Sequence, residues 1–450
     1  MVPAPGNVLT ARISVVARGF DSLRVRYTGE ADGARVTPVQ RLAGRDSAAV
    51  RVAGLRAGTE YLFQVEGWTG DRLLSGDTSS FTTGPLPAAL NNMSLEFLVG
   101  TATRTSLLVP TLLGQDGYLV IFDSVGTIRW YLNTSPWFPG AAPADTKQLP
   151  NGNILAYLGS TNGWNPVFGQ YYEFSLEGNV VRTYAAPLPL YTDNHELLLD
   201  FADSLPVTAT FFSYDIRNVD RTAWGGTGVI ALAGHQIIRQ RLAGGVEFFW
   251  NAWDRLSLED WIEEPQSAKQ QPSGDFDHPN SLDVDADGSY IVSWRNMGEV
   301  TKIDRRIGAI IWRWGGRNNQ FTFVNDPLNL FSGQHSVRVL PNGNYLLYDN
   351  GWRHVPSESR VAEYRLDTDA LTATLVWEYR HAPALFTPYV GNVARLQDGN
   401  TFISWGGAGR MQEVAPDLAT RWEVQVRNNG VPAIFYRSVL VPDLYRYRLP

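Results

Sequence analysis

The chain has no cysteine, which removes disulfides, thiol nucleophiles, zinc–thiolate sites and iron–sulfur clusters together. Lysine is nearly missing as well. Lys147, Lys269 and Lys302 are the only three, and every other cationic side chain is arginine. Planar, bidentate anion recognition is therefore available wherever an arginine is enclosed. No apolar run reaches the length of a membrane helix. Extended helical periodicity is also missing, and only residues 256–269 read as a short helix. There is no basic stripe, and the net charge is −7, so a nucleic-acid partner is not expected. Neither a phosphate-cradling Gly-x4-Gly-Lys loop nor a Gly-x-Ser-x-Gly elbow occurs, which argues against a nucleotide-bound donor and an elbow-type serine hydrolase.

What the chain does have is aromatic side chains and turns. Fifteen Trp, 19 Tyr and 20 Phe, with 42 Gly and 26 Pro, favour an all-β architecture. Residues 1–87 read as a small β-sandwich. Alternating segments such as Leu23-Arg24-Val25-Arg26-Tyr27 and Tyr61-Leu62-Phe63-Gln64-Val65 are separated by Gly and Asp turns. The stretch Leu55-Arg56-Ala57-Gly58-Thr59-Glu60-Tyr61 resembles the tyrosine corner of a fibronectin type III domain, where the Tyr hydroxyl bonds back to the upstream backbone. Ser80-Phe81-Thr82-Thr83-Gly84-Pro85 resembles the exit of such a domain, and Pro85 and Pro87 mark a linker.

Residues 88–450 repeat two elements. One is a hairpin before a hydrophobic strand: Pro150-Asn151-Gly152-Asn153, Ala286-Asp287-Gly288-Ser289, Pro341-Asn342-Gly343-Asn344 and Gln397-Asp398-Gly399-Asn400. These read as tight turns with positive φ at both central residues. The other is a strand ending in an aromatic, at Trp130, Tyr184, Trp250, Trp312, Trp377 and Trp422. Successive aromatics lie 45 to 66 residues apart. Each interval holds a four-stranded blade, so the expected fold is a six-bladed β-propeller behind the sandwich.

Of the six histidines, His195, His278 and His335 each stand just before a strand that would line the central channel of a propeller. Arg295 closes the hairpin that His278 opens. Three imidazoles and a guanidinium on one axis suit an anionic tetrahedral group, and a neutral imidazole is a competent nucleophile. His235, His354 and His381 read as structural residues, although His381 could edge the pocket, and Arg360 reads as a brace. Asp283-Val284-Asp285-Ala286-Asp287-Gly288 opens like a calcium loop, but its twelfth position is Trp294 instead of a bidentate Glu, so it reads as a hairpin turn. No metal and no cofactor are expected.

The run from His278 to Asn350 contains His-x-Asn-Ser-Leu-Asp, Ser-x-Arg, Gly-x-Ile-x-Trp-x-x-Gly-Gly, Gln-His and Tyr-Asp-Asn-Gly. In that order these motifs resemble the bacterial arylsulfotransferases that work without a nucleotide sulfate. Ser359-Arg360-Val361-Ala362-Glu363-Tyr364, Trp377-Glu378-Tyr379 and Tyr436-Arg437-Ser438 extend the likeness. The resemblance implies ping-pong transfer of a sulfuryl group from an aryl sulfate ester to a phenolic acceptor through a sulfohistidine. It implies His335 as nucleophile, His278, Asn280 and Arg295 as sulfuryl-binding groups, and His195 as a further substrate-binding histidine. It also implies a periplasmic or secreted protein; the start Met1-Val2-Pro3-Ala4-Pro5-Gly6 is not a signal peptide, which would then have been removed. The chain departs from some relatives in lacking a disulfide, and the Arg295–His335 spacing is short. Two other readings remain open: a propeller hydrolase or lactonase using the same pocket, and a non-catalytic binding propeller whose N-terminal domain mediates adhesion or pairs two copies into a homodimer.

Overall fold

Short apolar stretches broken by glycine turns dictate short strands, and strands dominate the computed structural model, which describes residues 2–4, 6–101, 106–110, 117–139, 143–159, 169–262, 273–441 and 444. Two sheets come first. Val2–Ala4, Asn7–Val16 and Ser47–Val52 form one. Gly33–Val36, Ser22–Gly29, Glu60–Thr69 and Arg72–Thr82 form the other, with Gln40–Arg41 alongside. Period-two alternation turns Leu23, Val25 and Tyr27 inward against Val50, Tyr61 and Phe63, giving a two-layer sandwich. The Tyr61 hydroxyl accepts the Arg56 N–H at 2.9 Å, the back-bond that the Leu55–Tyr61 run predicts.

Six sheets follow in a β-propeller, antiparallel except where Ser273–Asp275 pairs parallel with Val229–Arg241 and Thr322–Val324 with Thr372–Arg380. Five are meanders in chain order. Their innermost strands are Ala144–Gln148, Tyr191–Ala202, Pro279–Val284, His335–Val339 and Asn392–Arg395, and these belong to the second to sixth sheets. The first sheet is completed from the far end of the chain, because Val439–Val441 pairs antiparallel with Ser106–Pro110. Six apolar clusters fill the spaces between successive sheets, and the last of them joins the sixth sheet (Phe402, Trp422, Val424) to the first (Val120, Phe122, Tyr131). Both faces of most sheets are therefore covered. This is why second strands such as Ile154–Leu158, Tyr290–Trp294, Tyr345–Asp349 and Thr401–Trp405 are buried along their whole length.

The strand-ending aromatics pack between sheets. Trp130 Nε1 donates to Leu176 O at 2.8 Å and Trp250 Nε1 to Gly308 O at 3.1 Å, each carbonyl lying in a turn of the next sheet. The hairpins differ from the expectation in one respect. At 149–153 Gly152 N donates to Leu149 O and Leu149 N to Asn153 O, both at 2.8 Å. Only the glycine has positive φ there (+83°), and Gly288, Gly343 and Gly399 repeat this. The turn is thus type I closed by a left-handed glycine, a geometry that accepts Pro150 and Pro341 at its second position. The 256–269 segment begins with a single 3₁₀ turn, Leu258–Asp260, capped by Ser257, and residues 263–272 lie outside the described residues. Lys302 engages Asp285 at 2.6 Å and Asp287 at 2.9 Å, which leaves 283–288 as a salt-bridged hairpin. Among the described residues no helix is long and apolar enough to cross a membrane.

Candidate active site

The innermost strand of each sheet turns one backbone edge toward the axis, and its N–H groups need partners. The preceding sheet supplies them. Asp145 Oδ2 accepts from Leu197 N, Ser281 Oγ from Val337 N and Asp283 Oδ2 from Val339 N, all at 2.9 Å; Ser336 Oγ accepts from Val393 N at 3.3 Å. Inner strands are therefore held to one another in rotation order. Four of them carry a register shift at or near their start, between Ala144 and Lys147, Thr192 and Leu197, Pro279 and Ser281, and His335 and Arg338. A bulge of this kind re-aims the side chains it carries. His195 lies inside one, His278 (φ +48°) immediately precedes another, and His335 opens the last.

The rings of His195 and His278 meet edge to face, with centroids 4.7 Å apart. Each of the three imidazoles has its Nδ1 anchored. His195 Nδ1 lies 2.8 and 2.9 Å from the two Asp193 oxygens. His278 Nδ1 lies 2.9 Å from Asp275 Oδ2. His335 Nδ1 lies 2.9 Å from Gly333 O and 2.7 Å from Asn350 Oδ1. The Asn350 amide is itself oriented, because its Nδ2 donates to Thr387 O at 2.7 Å and Val390 O at 3.0 Å. Every partner is then an acceptor, so each Nδ1 carries hydrogen and each neutral ring keeps its lone pair on Nε2. Burial first, then the Arg295 guanidinium, hold the His335 imidazole well below the ordinary histidine range. Burial likewise lowers His195 against the opposing pull of Asp193.

Arg295 follows the second strand of the fourth sheet. Its N–H donates to His278 O at 2.9 Å, so it does close the hairpin that His278 opens. Its guanidinium lies over the Trp352 ring at 5.4 Å. Asn280 is fully buried, and its Nδ2 donates to Gln334 O at 2.6 Å, bracing the peptide ahead of His335. Asn280 Oδ1 has no hydrogen-bond partner among the described residues.

A buried ionic cluster adjoins His195. Arg437 Nη1 reaches Asp145 Oδ1 and Glu196 Oε2, each at 3.0 Å, and its Nη2 donates to Asn280 O. Lys147 and Arg338 also grip Glu196, at 2.9 and 2.8 Å. The neighbouring Tyr436 ring lies 5.7 Å from His195. Among the other histidines, His354 donates or accepts only within its own loop and beside Asp349, and His381 pairs with Glu423 at 3.0 Å. Arg360 is fully buried between Asp326 and Asp349, as a brace would be. His235 is different, being enclosed against Asp193 and Asp277. Among the described residues no three His, Asp or Glu side chains are grouped to hold a metal ion.

Residues 101–433 match the arylsulfotransferase (ASST) family. The chain belongs to that family. The arylsulfotransferase match takes in all five residues singled out from the sequence, together with Asp193, His235, Asp277 and Asn350, while Tyr436 and Arg437 follow it. No curated protein matches the chain. Among solved structures it is similar to a protein of unknown function from Bacteroides caccae, with 13% identity, a TM-score of 0.45, and 76% of this chain and 100% of that one covered. It is also similar to a catalytically inactive virginiamycin B lyase from Staphylococcus aureus with quinupristin, with 10% identity, a TM-score of 0.39, and 78% and 97% covered.

Proposed function

We propose that this arylsulfotransferase-family chain moves a sulfuryl group from an aryl sulfate ester to a phenol by a ping-pong route through sulfated His335. The observation that carries the reading is the anchoring of His335 Nδ1 by two acceptors, with burial keeping the ring neutral. Its Nε2 lone pair attacks sulfur, the S–O(aryl) bond breaks, and the phenolate leaves. The sulfated ring is cationic while Nδ1 keeps its hydrogen, so it departs readily when an acceptor phenol oxygen attacks the sulfur and the N–S bond breaks. His195, with Nδ1 fixed on Asp193, offers Nε2 to take the acceptor's proton, the arrangement used wherever a carboxylate fixes a histidine base. Arg295 and His278 hold sulfuryl oxygens and offset charge on the departing phenolate. Asn280 supports the turn that presents His335 and offers its remaining Nδ2 hydrogen to a sulfuryl oxygen.

The wider organisation belongs to the same proposal: a fibronectin type III-like domain over 1–87, and a closed propeller of six blades over 88–450. The strand order of the two N-terminal sheets and the six inter-sheet cores support it.

The test is a rapid-quench assay with an aryl sulfate. Wild-type protein releases a burst of phenol and gains about 80 Da, roughly the mass of SO₃, on the peptide holding His335. His335→Ala shows neither, because the covalent route is gone. Arg295→Ala keeps a burst slowed about 10²–10³-fold, the usual effect of losing one charge-stabilising donor. Turnover survives exhaustive chelation. An adduct on His278, or wild-type turnover in His335→Ala, reassigns the nucleophile; a wild-type protein that never forms an adduct overturns the mechanism.

A further inference from the structure

Asp193 and Asp277 are both fully buried, and each holds one pocket histidine. Asp193 accepts from the His195 N–H at 2.8 Å as well as from its ring. Asp277 Oδ1 accepts from His278 N at 2.8 Å, inside the turn where His278 has positive φ. A single side chain lies between the two carboxylates. His235, fully buried on the third strand (Val229–Arg241) of the third sheet, places Nδ1 2.5 Å from Asp277 Oδ1. Its backbone N–H donates to Asp277 Oδ2 at 2.9 Å. On the far side, His235 Nε2 faces Asp193 Oδ2 at 3.6 Å, a charge contact longer than a hydrogen bond.

Two buried carboxylates so close to one another are strongly disfavoured unless a cation intervenes. Burial alone would lower the His235 pKa. Asp277 and Asp193 outweigh it and push it up to about 10. The Tyr214 ring packs tilted against that of His235, with centroids 4.7 Å apart, and Tyr214 also hydrogen-bonds Asp193; the other titratable groups near it are Asp275, His195 and His278. None of these supplies a second permanent cation to the pair. His235 also never needs to touch substrate, since its two ring nitrogens both face carboxylates.

We propose that His235 is a positioning residue of the site: by tying Asp193 to Asp277 it fixes the His195 ring and the His278 turn in one arrangement. The proposal rests on the reading of His195 and His278 as members of the transfer site. Without His235, Asp193 keeps the His195 N–H and Tyr214 but loses its cationic partner, so it takes up a proton or shifts, and His195 loses the acceptor that fixes its tautomer. Asp277 would release the strained turn at His278.

Histidine-selective ¹⁵N NMR combined with steady-state kinetics on the full chain tests this. At pH 7 the wild-type protein shows His195 as one Nδ1–H tautomer and His235 with hydrogen on both nitrogens. In His235→Gln, which keeps a neutral donor but no charge, His195 becomes a mixture of tautomers. The kcat with an aryl sulfate falls about 10–100-fold, the range seen when outer partners of site histidines are removed, while KM stays within about threefold. His235→Phe gives the same pattern more strongly; if it does not fold, Asp277→Asn serves as the second variant. A role confined to stability would lower the melting temperature and leave both tautomer and kcat unchanged in the folded fraction. A folded His235→Gln protein with a single His195 tautomer and wild-type kcat overturns the proposal. A wild-type protein without sulfuryl transfer refutes the function instead, and the NMR comparison alone then decides whether His235 fixes His195.

Discussion

At His335 two acceptors converge on one ring nitrogen, and burial does the rest: the ring is a neutral base over the whole physiological range. With its pKa held well below the ordinary value of about 6.5, the nucleophile stays unprotonated as the solution is acidified past that point. The acid limb of the kcat/KM profile should therefore fall below pH 6.5, and a limb at or above that value would show that His335 is not the group titrating. His235 runs the other way. Its folded pKa of about 10 lies above the unfolded value, so the folded state binds the extra proton. The stability it contributes is fully present below pH 6.5 and is lost as pH rises toward 10. Chemical denaturation between pH 6.5 and 10 should show this decline in the wild type and a flatter profile in His235→Gln; parallel profiles would contradict it. The places of His278 and His335 were legible in the sequence because each stands at the entry to a hydrophobic strand. Asn350 was not, although it sits in a quoted motif, because its approach to His335 depends on two carbonyls in a distant loop. His235 read as a structural residue, since Asp193 and Asp277 reach it only across the folded sheets.

Among the elements, the inner strands carry the candidate site and the outer ones carry the ring. Asn-Gly and Asp-Gly turns announce the start of the second strand in four of the six sheets. Strand-ending aromatics announce each sheet's outer edge, so the meander could be read directly. The bulges that aim the histidines could not, because a bulge is defined by pairing with a neighbour and leaves no residue signature in Thr192–Leu197 or His335–Arg338. The C-terminal strand is the element whose place is least evident in sequence and most consequential. Arg437, just before Val439–Val441, joins Asp145 of the second sheet, Glu196 of the third and the Asn280 carbonyl of the fourth. Burial opposes its charge, yet Glu196 and Asp145 raise its pKa, so it remains a cation. Replacing it leaves Asp145 and Glu196 with only Lys147 and Arg338 to balance them. Arg437→Ala should destabilise the protein by about 3–5 kcal/mol, the usual result of removing one partner from a buried ion pair. Urea unfolding measures it, and a loss under about 1 kcal/mol would show that the cluster closes without the arginine.

For the whole molecule, the sandwich is bolted to the first propeller sheet by an ionic knot that neither half could form alone. Arg129, 4% exposed, clamps Asp32 with two hydrogen bonds of 2.6 and 2.8 Å and reaches back to Asp123 at 2.6 Å. Asp32 also accepts from Tyr61, whose hydroxyl makes the corner bond, and from Arg56 at 2.9 Å. Asn7 Nδ2 donates across the same boundary to Tyr131 O at 2.8 Å. The sequence suggested a boundary through the change of repeat pattern and the prolines at Pro85 and Pro87, but Asp32 and Arg129 stand 97 residues apart and carried no sign of each other. Interfaces between domains of one chain commonly permit relative motion unless they are buried and tightly paired. Here the paired charges are buried, so the domains should unfold together. Calorimetry of the wild-type chain should give one transition. Arg129→Met removes the clamp and leaves buried Asp32 with Arg56, the Tyr61 hydroxyl and a longer contact to Arg35 at 3.7 Å, which should split that transition in two and cost about 3–5 kcal/mol at the sandwich. Adduct formation per folded propeller should be unchanged, because no group within the knot touches the histidine pocket. A single transition in the variant at the wild-type temperature would mean that apolar packing around Leu9 and Leu90 joins the domains and that the arginine is incidental.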